Sequence, residues 1–139
     1  MGMNLSQTGT GGLAVIDDAS SGKGSVVLSI AAQVARGATN TIALGTLPAN
    51  AQIISIHVPV SVVSNAATTS TVSVGLVGGS ATAFSAAQDV KTAVGNFSQA
   101  ATASWAPSTS SRALNITYTE TGTASTAGTF AVAVNYVVV

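Results

Sequence analysis

The stretch Leu47-Pro-Ala-Asn-Ala-Gln-Ile-Ile-Ser-Ile-His-Val-Pro-Val-Ser-Val62 decides the fold class. Apolar and other residues alternate along it, so that one face carries Ile54, Ile56, Val58, Val60 and Val62. The opposite face carries Ser55, His57, Pro59 and Ser61. An apolar period of two residues indicates a half-buried β-strand.

A second alternating run follows the polar segment Asn65-Ala-Ala-Thr-Thr-Ser70 and ends at Gly78-Gly79. In this run Val72, Val74 and Leu76 alternate with Thr71, Ser73 and Gly75. Two alternating runs separated by a polar turn predict an antiparallel strand pair.

Further strands are predicted on both sides of this pair. Alternating runs lie at 26–34, 113–120 and 130–138, and 39–44 is predicted as another short strand. Ala81 to Val94 is the one segment with mixed three- and four-residue apolar spacing, and its β-branched residues limit it to one or two helical turns. We therefore predict an all-β, antiparallel β-sandwich of jelly-roll type with at most one short helix.

The composition bounds the domain organisation. A chain of 139 residues predicts a single domain, which we place at 13–139 behind a polar, glycine-rich arm at 1–12. Charged residues make up only 6% of the sequence, against about 25% in an ordinary globular protein. A free surface with so few charges is poorly protected against association, so we expect other subunits to cover much of it.

The charge balance also excludes several partner classes. Four basic residues balance four acidic ones, which gives no reason to expect binding to nucleic acid or to an anionic membrane.

We expect neither a signal peptide nor a membrane-spanning helix, because no sufficiently long apolar run is present. The sequence contains no cysteine, which excludes disulfides and thiolate metal sites.

Candidate chemistry is sparse. His57 is the only histidine, so a zinc site of usual composition is not expected, and a triad would require a Ser and Asp17 or Asp18 to converge on it. The Asp17-Asp18 pair fits a turn better than a calcium site, which needs six to eight oxygen ligands. Gly22-Lys-Gly-Ser25 lacks the spacing of a phosphate-binding loop. We predict no enzyme activity and no cofactor.

Three segments carry a family resemblance. They are Leu47-Pro-Ala-Asn-Ala-Gln-Ile-Ile-Ser, then Asn65-Ala-Ala-Thr-Thr-Ser-Thr-Val-Ser-Val-Gly75, then Ala83-Phe-Ser-Ala-Ala-Gln-Asp-Val90. Together with the closing segment from Ile116 to Val138, they resemble small β-sandwich structural proteins of tailed bacteriophages. The resemblance covers about residues 42–139. Gly78-Gly-Ser-Ala-Thr82 stands where that family often carries an Asp, so no acidic contact is carried over to this loop.

The resemblance implies a virion protein made in the host cytoplasm. The role that we expect is that of a capsid decoration (cement) protein on the head surface. Its expected partners are the major capsid protein and other copies of itself, with which it would form a homotrimer. A neck, tail or head-fibre accessory protein is the alternative in the same class. A carbohydrate-binding β-sandwich on the virion surface is the alternative in another class, and it would place Trp105, the only tryptophan, in an exposed groove.

The last strand supplies the candidate contact residues. Phe130 to Val139 has strong β propensity and no charge, and such a segment aggregates when it forms a bare edge. It must therefore lie centrally in a sheet or against another subunit. We predict self-association or capsid contacts through Val134, Tyr136, Val138 and Trp105.

Overall fold

The computed structural model describes residues 26–139, which form two four-stranded antiparallel sheets. The strands are β1 (Leu28–Gln33), β2 (Asn40–Leu47), β3 (Ala51–Val62), β4 (Thr69–Leu76), β5 (Ser85–Asp89), β6 (Gly95–Ser98), β7 (Arg112–Thr121) and β8 (Thr129–Val138). One 3-10 turn, Ala103–Trp105, precedes β7. The arm predicted at 1–12, the Asp17-Asp18 pair and the Gly22–Ser25 segment lie outside the described residues.

The strand order is that of a jelly roll. The first sheet runs β1-β8-β3-β6 and the second runs β2-β7-β4-β5. Every connection within 26–139 passes from one sheet to the other, except the link between β4 and β5, which pair directly. Two sheets joined by alternating crossovers of this kind form the double Greek key. The predicted all-β sandwich is confirmed.

The predicted pairing of the first two runs is wrong. β3 pairs with β8 and β6, whereas β4 pairs with β7 and β5 in the opposite sheet. Both strands have an apolar face, and placing them in different sheets lets these faces meet across the core. The link at 63–68 makes this crossing, and Ser64 N–H donates to Val90 O at 2.9 Å as it leaves β3.

The predicted inner face of β3 is wrong at both ends. Ile56, Val58 and Val60 are buried as expected, but Ile54 and Val62 are exposed and Ile53 is buried instead. The register against β8 shifts between Ile53 and Ser55 and again between Val60 and Val62. Each extra residue at a bulge reverses the direction of the side chains that follow it, so simple alternation fails there.

β4 is covered on both faces. Val72 and Val74 point into the core, while Ser73 and Gly75 on the other face are covered by the loop that follows the strand. Ser73 Oγ donates to Ala81 O at 2.9 Å, and a Cβ atom at Gly75 would lie 2.5 Å from the Cα of Ala81. Glycine is required at 75 because this backbone approach leaves no room for a side chain.

The helix predicted within Ala81–Val94 is wrong. The segment contains β5, which pairs with β4, and its flanking residues Phe84 and Val90 are buried in the core. These two anchors and the edge pairing override a weak helical spacing among alanines. The 3-10 turn lies instead at Ala103–Trp105, between β6 and β7.

The core lies between the sheets and is made of Val, Leu and Ile with a few aromatic rings. The Tyr118 and Phe130 rings stack with centroids 5.4 Å apart, which joins β7 of one sheet to β8 of the other. No helix among residues 26–139 is long and apolar enough to span a membrane.

Candidate functional site

The candidate contact strand β8 lies in the interior of its sheet. It pairs with β1 on one side and with β3 on the other, so it presents no bare edge. Of the two arrangements expected for the apolar segment at 130–138, central pairing or burial against another subunit, the structure shows the central pairing. Val134 is 0% exposed and Tyr136 is 8% exposed, whereas Val138 at the strand end is 47% exposed. Val134 therefore packs within the domain, whereas Val138 keeps exposed surface.

Trp105 closes one end of the sandwich. Its side chain is only 8% exposed, and its indole Nε1–H donates to Phe84 O at 2.7 Å. Arg112 stabilises the same segment, because its guanidinium donates to Ser104 O at 2.7 Å and to Ala51 O at 3.1 Å. The guanidinium carbon also lies 5.4 Å from the centroid of the Phe84 ring. A buried indole has no free face for stacking on a sugar. The geometry thus disfavours a carbohydrate site built on Trp105.

His57 lies on the outer face of the first sheet. Its Nδ1 is 3.2 Å from Ser98 Oγ on the neighbouring strand β6. The carboxylates among residues 26–139 are Asp89 and Glu120, and Glu120 is engaged by Tyr118 and Ser125. A catalytic histidine needs a third group to orient it, and the described residues supply none. The same residues contain no group of three or more His, Cys, Asp or Glu side chains placed to hold a metal ion.

A polar cluster joins the two sheets at the opposite end from Trp105. The Tyr118 hydroxyl donates to Glu120 Oε1 at 2.6 Å and accepts a bond from Ser70 Oγ at 2.8 Å. Ser64 Oγ and Ser125 Oγ each lie 3.3 Å from the same hydroxyl. Sequence reasoning missed this cluster, because its members lie on four segments: the β3–β4 link, β4, β7 and the β7–β8 connection.

Glu120 holds the β7–β8 connection through this cluster. Ser125 donates to it twice, from Oγ to Oε1 at 2.7 Å and from its backbone N–H to Oε2 at 3.1 Å. Burial raises the pKa of the Glu120 carboxyl, but the hydrogen bonds from Tyr118 and Ser125 outweigh that effect, and the net pKa is lowered. The cluster is therefore a structural clamp that needs the ionised carboxylate.

An exposed apolar surface lies at the end of the first sheet that carries the start of β1 and the end of β8. We call it the end patch, and its members are Val26, Val27, Leu28, Ile54, Val138 and Val139. The register brings the three strands together there, since Leu28 and Ile53 both face Tyr136 and Ala51 faces Val138. Val26 is 68% exposed and Val139 is 70% exposed. Sequence reasoning missed this patch because it assigned Val26, Leu28 and Ile54 to buried faces.

A shallow depression lies on the second sheet. It has a volume of about 490 Å³ and is lined by Thr68, Thr69, Thr71, Asp89, Lys91 and Thr92. Asp89 is held locally, because its carboxylate accepts the Lys91 backbone N–H at 2.9 Å. A hydrogen bond from the Thr92 side chain is the main cause of its lowered pKa. Local hydrogen bonds thus account for this carboxylate without a ligand.

Comparison with solved structures finds the same fold in chains from three phage capsids. A chain from "Acidic stable capsid structure of Helicobacter pylori bacteriophage KHP30" is 16% identical with a TM-score of 0.65, over 81% of this chain and 88% of that one. A chain from "Cyanophage Pam1 capsid asymmetric unit" is 21% identical with a TM-score of 0.63, over 84% and 88%. A chain from "Capsid of Ralstonia phage GP4" is 21% identical with a TM-score of 0.58, over 84% and 86%.

Sequence comparisons add no family. No protein-family model matches the chain, and no curated protein matches it. The similarity is therefore one of fold, and it extends over more than four fifths of the chain in each case.

Proposed function

We propose that this protein is a structural component of a phage virion, and specifically a decoration protein that binds the outside of the assembled head and bridges capsomers. The observation that carries the proposal is the shared fold with chains of three phage capsid structures, each matched over at least 81% of this chain. The partner of such a protein is the major capsid protein.

The surface supports a role in assembly. Net charge is zero and charged residues are 6% of the sequence, so little repulsion opposes contact with other subunits. Six exposed large apolar residues lie near this one end of the first sheet, and exposed apolar surface of this kind often marks interaction sites. Burying this patch against a neighbouring subunit would supply the hydrophobic part of the attachment free energy.

The end patch also refines the predicted contact residues. Val138 and its neighbour Val139 have exposed surface to contribute directly. Val134, Tyr136 and Trp105 are buried, so their part is to hold β8 and the Trp105 segment rigid behind the contact surface. A homotrimer, which suits three-fold positions of a head, is the oligomer that we propose.

Three alternatives are weighed against this role. A neck, tail or head-fibre accessory protein would use the same fold and the same patch at another position of the virion. A carbohydrate-binding module is disfavoured, because Trp105 is sequestered by its bond to Phe84 O. An enzyme is disfavoured because the described residues bring no carboxylate to His57.

Reconstitution on isolated heads tests the proposal. Heads that lack this protein are incubated with the purified chain, pelleted through a cushion, and then heated while DNA release is followed with an intercalating dye. We expect saturable binding and release at a higher temperature, and we expect Val138→Asp to weaken both. Exposed Val77→Asp, on the second sheet, is the matched control. Failure of the wild-type chain to bind heads would refute the decoration role.

A further inference from the structure

The connection between β7 and β8, residues 122–128, lies against one end of the core, and we call it the strap. It begins and ends with glycines in the left-handed region, Gly122 with φ of 84° and Gly128 with φ of 144°. It contacts both rings of the Tyr118–Phe130 stack: Ser125 Oγ lies 3.3 Å from the Tyr118 hydroxyl, and a Cβ atom at Gly128 would lie 2.8 Å from Phe130 Cε1. Glycine at each end gives this segment two points about which its backbone can rotate.

Two of the ties that hold the strap do not depend on pH in mild acid. Asn65 Oδ1 on the β3–β4 link accepts the backbone N–H groups of Thr126 and Ala127 at 2.8 and 2.9 Å. Arg36 Nε on the β1–β2 link donates to Gly128 O at 3.2 Å. An amide side chain carries no titrating proton, and a guanidinium keeps its charge.

The third tie, at Glu120, does depend on ionisation. Three donors surround its carboxylate: the Tyr118 hydroxyl at 2.6 Å, Ser125 Oγ at 2.7 Å and the Ser125 backbone N–H at 3.1 Å. A carboxylate only accepts hydrogen bonds, so it satisfies all three. A protonated carboxyl would bring a further donor to a site already occupied by donors, which weakens the hold on Ser125.

We propose that the strap is an acid-released latch: protonation of Glu120 frees it to move about Gly122 and Gly128 while both sheets stay folded. Because Tyr118 is 0% exposed and Phe130 is 2% exposed when the strap is closed, its release would uncover an aromatic end of the core. The proposal rests on contacts within the domain and does not depend on the capsid role.

The direction of the pH effect follows from the Glu120 carboxyl. Burial raises its pKa, but the hydrogen bonds from Tyr118 and Ser125 lower it further, and the net pKa lies below the ordinary value of 4.5. The ionised carboxylate therefore favours the closed strap above that value, and this preference is lost as the pH falls through the folded-state pKa.

Few other titratable groups among residues 26–139 bear on the strap. Tyr118 faces Glu120 from β7, and Arg36 faces the strap from the β1–β2 link. The groups that face Tyr118 from β4 and the β3–β4 link are the hydroxyls of Ser70 and Ser64. The remaining titratable groups lie elsewhere: His57 on the outer face of the first sheet, Asp89 and Lys91 at the edge of the second, and Arg112 and Tyr136 at the opposite end of the sandwich.

Residue-resolved hydrogen exchange by NMR on the full chain tests the latch. Protection factors, which correct for the intrinsic effect of pH on exchange, are measured at the Ser125 amide and at Val134 in β8, a strand paired on both sides. We expect Ser125 to lose its protection in acid while Val134 stays protected at least about a hundredfold more strongly. Ser125 protection that persists in acid, or a joint loss at both amides, would overturn the proposal.

Two variants separate the latch from general destabilisation. Glu120→Gln removes the charge, so at neutral pH its Ser125 amide should exchange at least about tenfold faster than in the wild type. Asn65→Ala, at an exposed position, removes a pH-independent tie, so its strap should be released at a higher pH than in the wild type. Asp89→Asn is the matched control and should behave as the wild type. Wild-type exchange at Ser125 in Glu120→Gln, or an unshifted release in Asn65→Ala, would contradict the latch.

Discussion

Tyr118→Phe removes one oxygen atom from the centre of the polar cluster. Tyr118 is 0% exposed, and its hydroxyl donates to Glu120 at 2.6 Å and accepts from Ser70 at 2.8 Å. Ser70 is also 0% exposed, and its hydroxyl donates to no other described group. The substitution therefore removes a hydrogen bond to a carboxylate and leaves a buried donor without a partner.

The magnitude follows from these two losses. A hydrogen bond to a charged group contributes about 1.5–3 kcal/mol, and an unsatisfied buried hydroxyl costs about 1–3 kcal/mol. With partial relaxation we expect Tyr118→Phe to lower the free energy of unfolding by about 3 kcal/mol. For a domain of this size that corresponds to a fall in melting temperature of roughly 12 °C. Thr41→Val, which removes a hydroxyl on an exposed strand, should cost less than about 0.5 kcal/mol.

A double-mutant cycle distinguishes the cluster from simple loss of packing. Adding Ser70→Ala to Tyr118→Phe removes the orphaned donor, so the pair should cost at least about 1 kcal/mol less than the sum of the single changes. Urea unfolding followed by the fluorescence of the only tryptophan, the buried Trp105, measures all four variants. The reasoning is refuted if Tyr118→Phe costs no more than Thr41→Val, or if the two changes add independently.

Four further predictions follow from the fold. The pKa of Glu120 is lowered from its ordinary value of 4.5, so the ionised carboxylate stabilises the fold above that pH, and this stabilisation is lost as the pH falls through the folded-state value. The difference in unfolding free energy between wild type and Glu120→Gln, measured by urea titration, should therefore disappear at acid pH. A difference that stays constant with pH would contradict this. Val134→Asp places a charge in the core, so it should lower the free energy of unfolding by several kcal/mol and abolish soluble protein. An unchanged melting temperature would contradict the burial of this side chain. Gly75→Ala forces the Ala81 backbone away and should lower the free energy of unfolding, measured by calorimetry, by about 1–3 kcal/mol. Gly78→Ala is the control, because its Cβ meets no atom within 4 Å and the only cost is the backbone strain of its positive φ of 78°. Deleting residues 2–12 should leave the circular dichroism spectrum and melting temperature unchanged while weakening attachment to heads, and unfolding on deletion would assign the arm to the core.

The fold class could be predicted because the signal is local. Alternation in β3, β4, β7 and β8 needs only neighbouring residues, and it gave the correct element type in each case. The pairing of β3 with β4 was wrong because a turn of polar residues looks the same whether it closes a hairpin or crosses between sheets. Topology depends on which faces meet, and a single strand does not encode that.

The bulges explain the largest error in burial. Nothing in Ile53-Ile54-Ser55 indicates where the extra residue lies, yet that position decides which isoleucine enters the core. Ile54 was missed as a member of the end patch for this reason, and the Tyr118 cluster was missed because its residues meet only after folding. Trp105 was singled out as a contact residue, and its burial became clear only from the structure, where its indole donates to Phe84 O.

The central claim is that this protein decorates the outside of a phage head, and its position in the virion tests that claim most directly. A cryo-electron microscopy reconstruction of the intact virion at side-chain resolution makes the measurement. The account predicts eight-stranded density of this jelly roll on the outer head surface, over the joints between capsomers, with Val138 and Val139 against a neighbouring subunit. Density for this chain only at the neck or tail, or none in the virion, would contradict it.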